Sequence, residues 1–475
     1  MKLSKIMLTA GLAAFIALQT SCRENEYGTV DLTMPDDETP SYEPIEAQYQ
    51  YPHPCIMYSQ EDFDYVKQSL ADGTAPQEVQ DELQALKNSQ FAQLSYVAQP
   101  QNCIVRGDDK GTPIDDGTDK KVENYAYAMR DAGSAFQQAL LYKLTDDEQY
   151  AAAAVKTLNA WAATCKGIYS NDANMYLAAG AQGYTFAAAA EMLRGSQSWN
   201  DADFNTFCKW LVDVFASRNA EFLSHENANV CAEHYWSNWD LVNMCSYLAI
   251  GILTENDEMV NYVVNYFYNG AGNGCIDKLI RGHHTDPNTG EPIYQNQESG
   301  RDQGHAEMSA MVAANLAQMA YTLYVQNDEK VPELDFFAAD DNALLKMGEY
   351  VALSNLRNGT DNANKDGQWV IAATAMPFTT YEYCVNCSCR DKNHSATQTQ
   401  LANDEGRGSV RPGWEIYYNH YKRIKGLSNG FSYVKQFADK LRPECGVGEG
   451  QNRYGTNSGA FDQLGWGTLM LYRGE

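Results

Sequence analysis

Five of the chain's eight histidines, His225, His234, His283, His284 and His305, fall between Ser224 and Met308. This stretch opens with SHENANVCAEHYWSNWDLVNMCSYLAIG, passes through RGHHTDPNTGEPIYQNQ and ends in ESGRDQGHAEMSAMVAANLAQMA. Imidazoles move protons near neutral pH, and guanidinium and carboxamide groups bind carboxylates. His234 and Asn238 are four apart, as are Arg301 and His305. On a helix each pair shares one face. Both pairs open segments that turn apolar, at 241–252 and 308–324. The pattern predicts polar side chains gathered where helices begin, joined by a Gly- and His-rich loop, at the mouth of a cleft. The competing reading gives the histidines to helix caps and core hydrogen bonds.

A second group, Trp414-Glu-Ile-Tyr417-Tyr418-Asn-His420, either brings Tyr418 or His420 to the same cleft or forms one packed helix face. His283 and His284 with Asp286 offer metal ligands, but their spacing matches no common site, and no metal is assigned. Cys384, Cys387 and Cys389 lack the second ligand pair of a zinc ribbon. A local disulfide or plain thiols fit them better.

The elements that must hold these residues are helical. Ser59 caps a helix opening Gln60-Glu61-Asp62, and Pro76 begins another. Apolar residues then recur at three and four through paired segments. These are 124–144 with 147–165, 175–194 with 201–218, 234–253 with 255–268, 299–325 with 340–356, and 411–425 with 432–441. No βαβ alternation or strand series interrupts them. Successive helical hairpins predict an all-α fold, an α/α toroid or incomplete α/α barrel, as one domain over 51–475. A tetratricopeptide-type solenoid would show a recurrent repeat, which is absent from the sequence.

Of 475 residues, 62 are acidic and 35 are Lys or Arg, giving a formal net charge of −27. No basic face is left for nucleic acid. Residues 1–22 read as a lipoprotein signal peptide, with Lys2 and Lys5 before an apolar run and Cys22 as the lipidated residue. Residues 23–50 are acidic and Pro-bearing and read as a flexible tether. An exported, periplasmic or cell-surface protein, lipid-anchored to the outer membrane, follows as the expectation. Without Cys22, eleven of the twelve cysteines remain, and Cys165, Cys208 and Cys245 sit in apolar helical runs as small core residues.

From about His53 to Arg473 the chain resembles the alginate lyase superfamily of polysaccharide lyases. The resemblance is carried, in order, by HPCIMYSQEDFDYVKQSLADG, ALLYKLTDDEQYAAAAVKTLNAWA, AAGAQGYTFAAAAEMLR, SNWDLVNMCSYLAIGI, ESGRDQGHAEM, RPGWEIYYNHY and SGAFDQLGWGTLMLYR. It implies an α/α toroid that cleaves a uronic-acid polymer, alginate or glucuronan-like, by β-elimination, with an acidic polysaccharide as partner. The chain departs from the family in two places. Family members carry Asn-His at the start of the central helix, where this chain has Asn238-Trp239 or, earlier, Glu233-His234. They also carry a Tyr seven residues after the cleft Arg, where this chain has Met308.

Elimination needs a neutralised carboxylate, a base for the C5 proton and an acid for the leaving C4 oxygen. Asn238 and Arg301 are the candidates for the first job, and His305 or His234 for the second. Tyr294 or Tyr418 is the candidate acid, or acid and base together. Trp239, His284, His420 and Trp414 are candidate substrate contacts. The chemistry needs no cofactor. Arg281, Arg301, Arg390, Lys392, Arg407 and Arg411 lie in or near the same loops and would make a basic cleft on an acidic body. Two other classes compete: a non-catalytic glycan-binding lipoprotein, and a glycoside hydrolase on the same fold. The hydrolase needs two carboxyl groups across the cleft, for which Asp240, Glu298 and Asp302 are available.

Overall fold

The computed structural model describes residues 42–107, 123–170, 172–225, 232–359, 366–382, 397–401, 406–450, 453–455 and 458–474. Cys22, the signal segment, the Cys384–Cys389 cluster, Arg390 and Lys392 lie outside them.

Two short helices, α1 (Gln60–Ala71) and α2 (Gln77–Asn88), come first. Ser59 starts α1 through a capping box with Asp62. Hairpins follow: α3 (Tyr125–Thr145) with α4 (Glu148–Thr164), then α5 (Asn174–Leu193) with α6 (Asp201–Leu211) and α7 (Ser217–Leu223), joined by one π-helical stretch. Next are α8 (Ser237–Leu253) with α9 (Asp257–Asn269), and α10 (Gln303–Gln326) with α11 (Ala339–Asn355). The last are α12 (Trp414–Tyr418), α13 (Ser432–Leu441) and α14 (Gly467–Leu471).

Alternate helices form an inner ring. α3 packs on α5, α5 on α8, α8 on α10, α10 on α12 and α12 on α14; α14 and α1 close the circle back to α3. Sequence explains the sorting. α5, α8 and α10 are buried around almost their whole circumference, whereas α9 and α13 bury one stripe. α5 and α8 touch closely because α5 offers glycine. A Cβ on Gly180 would lie 2.6 Å from Val242 Cγ2 and 2.9 Å from its carbonyl carbon.

Because every second helix is inner, the inner helices run the same way. Inner-to-outer links are short, such as 146–147 and 254–256. Outer-to-inner links include 270–302 and 356–413, so the long segments gather at the end where the inner helices begin. Several helices, inner and outer, lack a cap of their own and borrow one. Glu298 accepts from Asn238 N (2.9 Å) at α8, and Glu444 from Gly413 N (2.6 Å) and Trp414 N (2.7 Å) at α12. Glu349 accepts from Val434 N (2.7 Å) at α13, and Glu82 from Leu469 N at α14. Buried carboxyl groups thus accept the free N–H groups at helix starts.

Four expectations change. Residues 280–296, read as a loop, form a hairpin of two antiparallel strands, Ile280–Thr285 and Pro292–Asn296, packed on α11. His234 ends a 3-10 turn before α8, so it shares no helix face with Asn238. Arg301 precedes α10, whose N-cap is Asp302, so it shares none with His305. From Tyr42 on, the expected tether is an arm docked along α9. Asn269, Asn265 and Asn261 each accept a backbone N–H and donate to the carbonyl of one residue: Tyr42 (3.0 and 2.9 Å), Ile45 (2.8 and 3.0 Å) and Ala47 (3.1 and 2.8 Å). Asn327 treats Gln50 alike (2.7 and 3.1 Å). Between Ile45 and Ala47 the match is close, since two extended residues advance about 6.7 Å and four helical residues about 6 Å.

Candidate active site

Glu298 is the centre of the site. It is fully buried, just past the second hairpin strand. Its Oε1 accepts from Asn238 N (2.9 Å), Asn238 Nδ2 (2.6 Å) and Ser309 Oγ (2.7 Å). Its Oε2 holds Arg301 Nη1 at 2.9 Å. One carboxylate therefore joins the α8 start, the hairpin exit and the α10 start. A buried carboxylate needs such company, since removing its cation leaves an uncompensated charge.

Arg301 is gripped on two more sides. Its Nε lies 3.7 Å from Asp302 Oδ2, and its guanidinium carbon stands 5.1 Å from the Trp236 ring centre. The side chain is 27 % exposed, so part of its fork still faces solvent.

Asp302 does two jobs. Its Oδ1 accepts from His305 N at 2.9 Å and caps α10; its Oδ2 lies 2.6 Å from His305 Nδ1. Burial works to raise the Asp302 pKa, but the His305 bonds and charge, with Arg301, outweigh it and hold the carboxyl below its usual range. The pairing puts the proton on Nδ1 and leaves the Nε2 lone pair free. The His305 side chain is 39 % exposed, so Nε2 is within a substrate's reach. A guanidinium beside an acceptor imidazole, both fixed by carboxylates at helix starts, can bind an acid and take a proton beside it.

An alginate lyase family profile matches residues 71–352, more than half of the chain. The chain belongs to the alginate lyase family. It is a polysaccharide lyase. Among solved structures it is similar to an alginate lyase from Bacteroides ovatus, at 10 % identity over 81 % of this chain and 96 % of that one, with a TM-score of 0.50. It is also similar to alginate lyase A1-III from Sphingomonas species A1, at 12 % identity over 80 % and 93 %, with a TM-score of 0.47. No curated protein matches. The likeness to the Bacteroides enzyme bears on the fold, an all-α toroid.

In this family member the structure brings Asn238, Arg301 and His305 together. Trp239, half-buried at the α8 start, stacks near Tyr235 (4.9 Å between ring centres). His234 lies two residues before Trp236, the ring under Arg301. Other candidates do not join the group. Tyr294 stacks on His283 (4.1 Å), and its hydroxyl accepts from Lys346 Nζ (3.2 Å) on α11. Tyr418 packs on Phe431 and under Arg442. His284 bonds Gln295 (3.0 Å). Trp414 is buried on Phe437 and donates to Glu307 (3.1 Å). His420 is buried with its ring 3.8 Å from that of Phe337, and burial lowers its pKa well below the usual imidazole value. Residues 414–420 are all buried, so this segment packs into the core on every side, neither lining the cleft nor presenting one packed face.

The cations gather around α10 but are largely engaged. Arg281 bonds Asn273 and stands over Tyr381, whose hydroxyl accepts from Gly300 N (3.4 Å). Arg407 donates to the carbonyls of Ser354 and Ile371. Arg411 pairs with Asp462 (3.0 Å), and its N–H meets Glu307 (3.1 Å). The carboxyl pair of a hydrolase is missing from this group. Glu298 is saturated with donors, Asp302 belongs to His305, and Asp240 is buried against Tyr266 (2.5 Å), with burial raising its pKa to about 7.

His283, His284 and Asp286 turn to separate partners, since Asp286 holds Tyr433 (3.0 Å). Among the described residues, His53, Cys55 and Glu191 could together approach a metal. There Arg194 Nε stands 3.8 Å from the second Glu191 oxygen and already balances its charge. Sequence reading under-used Asp302 and missed Trp236 and Tyr381. An Asp three residues before the histidine that opens an apolar helix is a capping signal, and it marked Asp302.

Proposed function

We propose that the chain cleaves a polyuronate, alginate or a glucuronan-like polymer, by β-elimination at the Arg301–His305 site. The observation that carries this reading is the 2.6 Å contact of Asp302 with His305 Nδ1 beside the Glu298-held guanidinium. Arg301, with the remaining N–H of Asn238, binds the uronate carboxylate and favours the enolate-like charge. His305 Nε2 takes the C5 proton. The C5 electron pair forms the C4–C5 double bond, the C4–O bond breaks, and the leaving oxygen receives a proton. His305, now protonated, returns it to that oxygen. Trp239 offers a flat face to the sugar ring.

A net charge of −27 opposes a polyanion at long range. Locally, the partly exposed Arg301 guanidinium is the positive group that a uronate carboxylate meets. Polymers of mannuronate, guluronate and glucuronate, incubated with the enzyme and followed in the ultraviolet, test the reading. The product is a 4,5-unsaturated uronide. Intact polymer throughout, or saturated reducing ends, would refute it. Export with a lipid on Cys22 is proposed alongside. A palmitate analogue should label the wild type and not Cys22→Ala.

A further inference from the structure

Beside the start of α3 lies an open-mouthed cavity of about 510 Å³ that no step above uses. Its size is that of a small-ligand pocket. Tyr96, Tyr127, Arg130, Glu449, Tyr454 and Phe461 are among its walls. Tyr127 and Arg130 lie three apart in the first turns of α3, so they share a face. Tyr127 is 37 % exposed, so part of its ring is open to a ligand. Arg130 is exposed and, among the described residues, enters no ion pair. Its neighbour Asp131, also a wall of the cavity, feels the Arg130 charge but turns its oxygens to other donors. Those oxygens are taken by the Tyr96 hydroxyl, Gln99 N and Trp161 Nε1, each at 2.7 Å.

The cavity opens on the same end of the toroid as the candidate active site. A Cβ on Gly133 would lie 3.3 Å from the Phe461 ring, so Phe461 seats against α3. The next residue, Asp462, holds Arg411, and the Arg411 N–H meets Glu307, two residues beyond His305. Around the inner ring, α3 is two helices from α8. At 8–10 Å per packed pair around a closed ring, the α3 axis stands less than about 20 Å from the α8 axis.

We propose that this cavity is a distal subsite for a uronate unit of the polymer, with Arg130 on its carboxylate and Tyr127 against its apolar face. The proposal rests on the polyuronate reading above. An arginine fork suits a carboxylate, and an exposed tyrosine ring suits the C–H face of a pyranose. Glu449, whose Oε1 accepts from Gly450 N at 3.0 Å, sets the opposite charge on the rim and limits affinity for the anion. A polymer threaded past His305 reaches the cavity; a short oligomer does not.

The test compares kcat/KM on the preferred polyuronate with kcat/KM on the shortest oligomer cleaved. In Arg130→Gln the polymer-to-oligomer ratio should fall about tenfold, the effect of one charge-assisted contact. Tyr127→Ala should lower it in the same direction. Glu449→Gln should raise it by about twofold or more, because a like charge leaves the rim. An unchanged ratio in Arg130→Gln overturns the subsite, and a lowered ratio in Glu449→Gln overturns its anionic ligand. Wild-type enzyme that leaves every polyuronate intact overturns the lyase reading and this subsite with it. Melting curves of the three variants show that each is folded when assayed.

Discussion

Asp302 holds His305 twice, by its backbone N–H at 2.9 Å and by its ring Nδ1 at 2.6 Å. The two contacts separate by substitution. Asn caps helices about as well as Asp, so Asp302→Asn should keep the α10 start. Its amide no longer fixes the tautomer or stabilises the imidazolium. Turnover should fall on the order of a hundredfold or more, with the melting temperature nearly unchanged. Kinetics beside melting curves read both. Equal losses of stability and turnover would make Asp302 a cap and nothing else.

Arg301→Ala should also cut turnover on the order of a hundredfold or more, as loss of one preorganised donor does elsewhere. It has a second cost here, because Glu298 stays buried without its cation. The double variant Arg301→Ala with Glu298→Gln removes that cost. Melting should recover in the double variant, and turnover should not. A double variant that regains turnover would place the chemistry elsewhere.

The helical hairpins were legible in the sequence because their apolar spacing is local information. α3 and α4 end within a residue or two of their expected limits. The hairpin at 280–296 was hidden because its polar, histidine-rich residues carry no clean alternation, and its pairing depends on α11 beneath it. The site was half legible. Residue type pointed to Arg301, His305 and Asn238. What binds them, Glu298, joins segments 60 residues apart in sequence, and no spacing rule reports that. Tyr418, Trp414 and His420 misled for the opposite reason. Aromatic and histidine side chains fill cores as readily as clefts.

The docked arm was also hidden, since residues 42–50 have a tether's composition. Its hold comes from α9, where Asn261, Asn265 and Asn269 repeat every four residues. Replacing all three by Ala should release the arm and spare the toroid, because the inner ring does not use them. Hydrogen exchange at the Ile45 and Ala47 amides should lose its protection, and trypsin-resistant core should persist. Retained protection at those amides would mean that side-chain packing, such as Tyr42 on Tyr268 (4.2 Å), holds the arm instead.

The buried caps predict how stability responds to pH. Burial, the largest cause in each case, raises Glu82 to about 7 and Glu349 and Glu444 to about 8, despite the backbone N–H groups that favour their charged forms. Unfolded, these carboxyls titrate near 4.3. Between the two values the folded chain binds protons that the unfolded chain does not. Stability from these groups is therefore full below the unfolded value and is lost as pH rises through 7–8. Melting at pH 5.5 should exceed that at pH 8.5 by about 5 °C, the order expected for a few kcal/mol in a chain of this size. Self-repulsion of the acidic surface acts in the same direction. Salt separates the two, since 0.5 M screens the surface but not the interior. With Glu349→Gln the acceptor remains and the titration goes, so the fall with pH should flatten at high salt. A profile that salt alone flattens in the wild type would assign the effect to the surface.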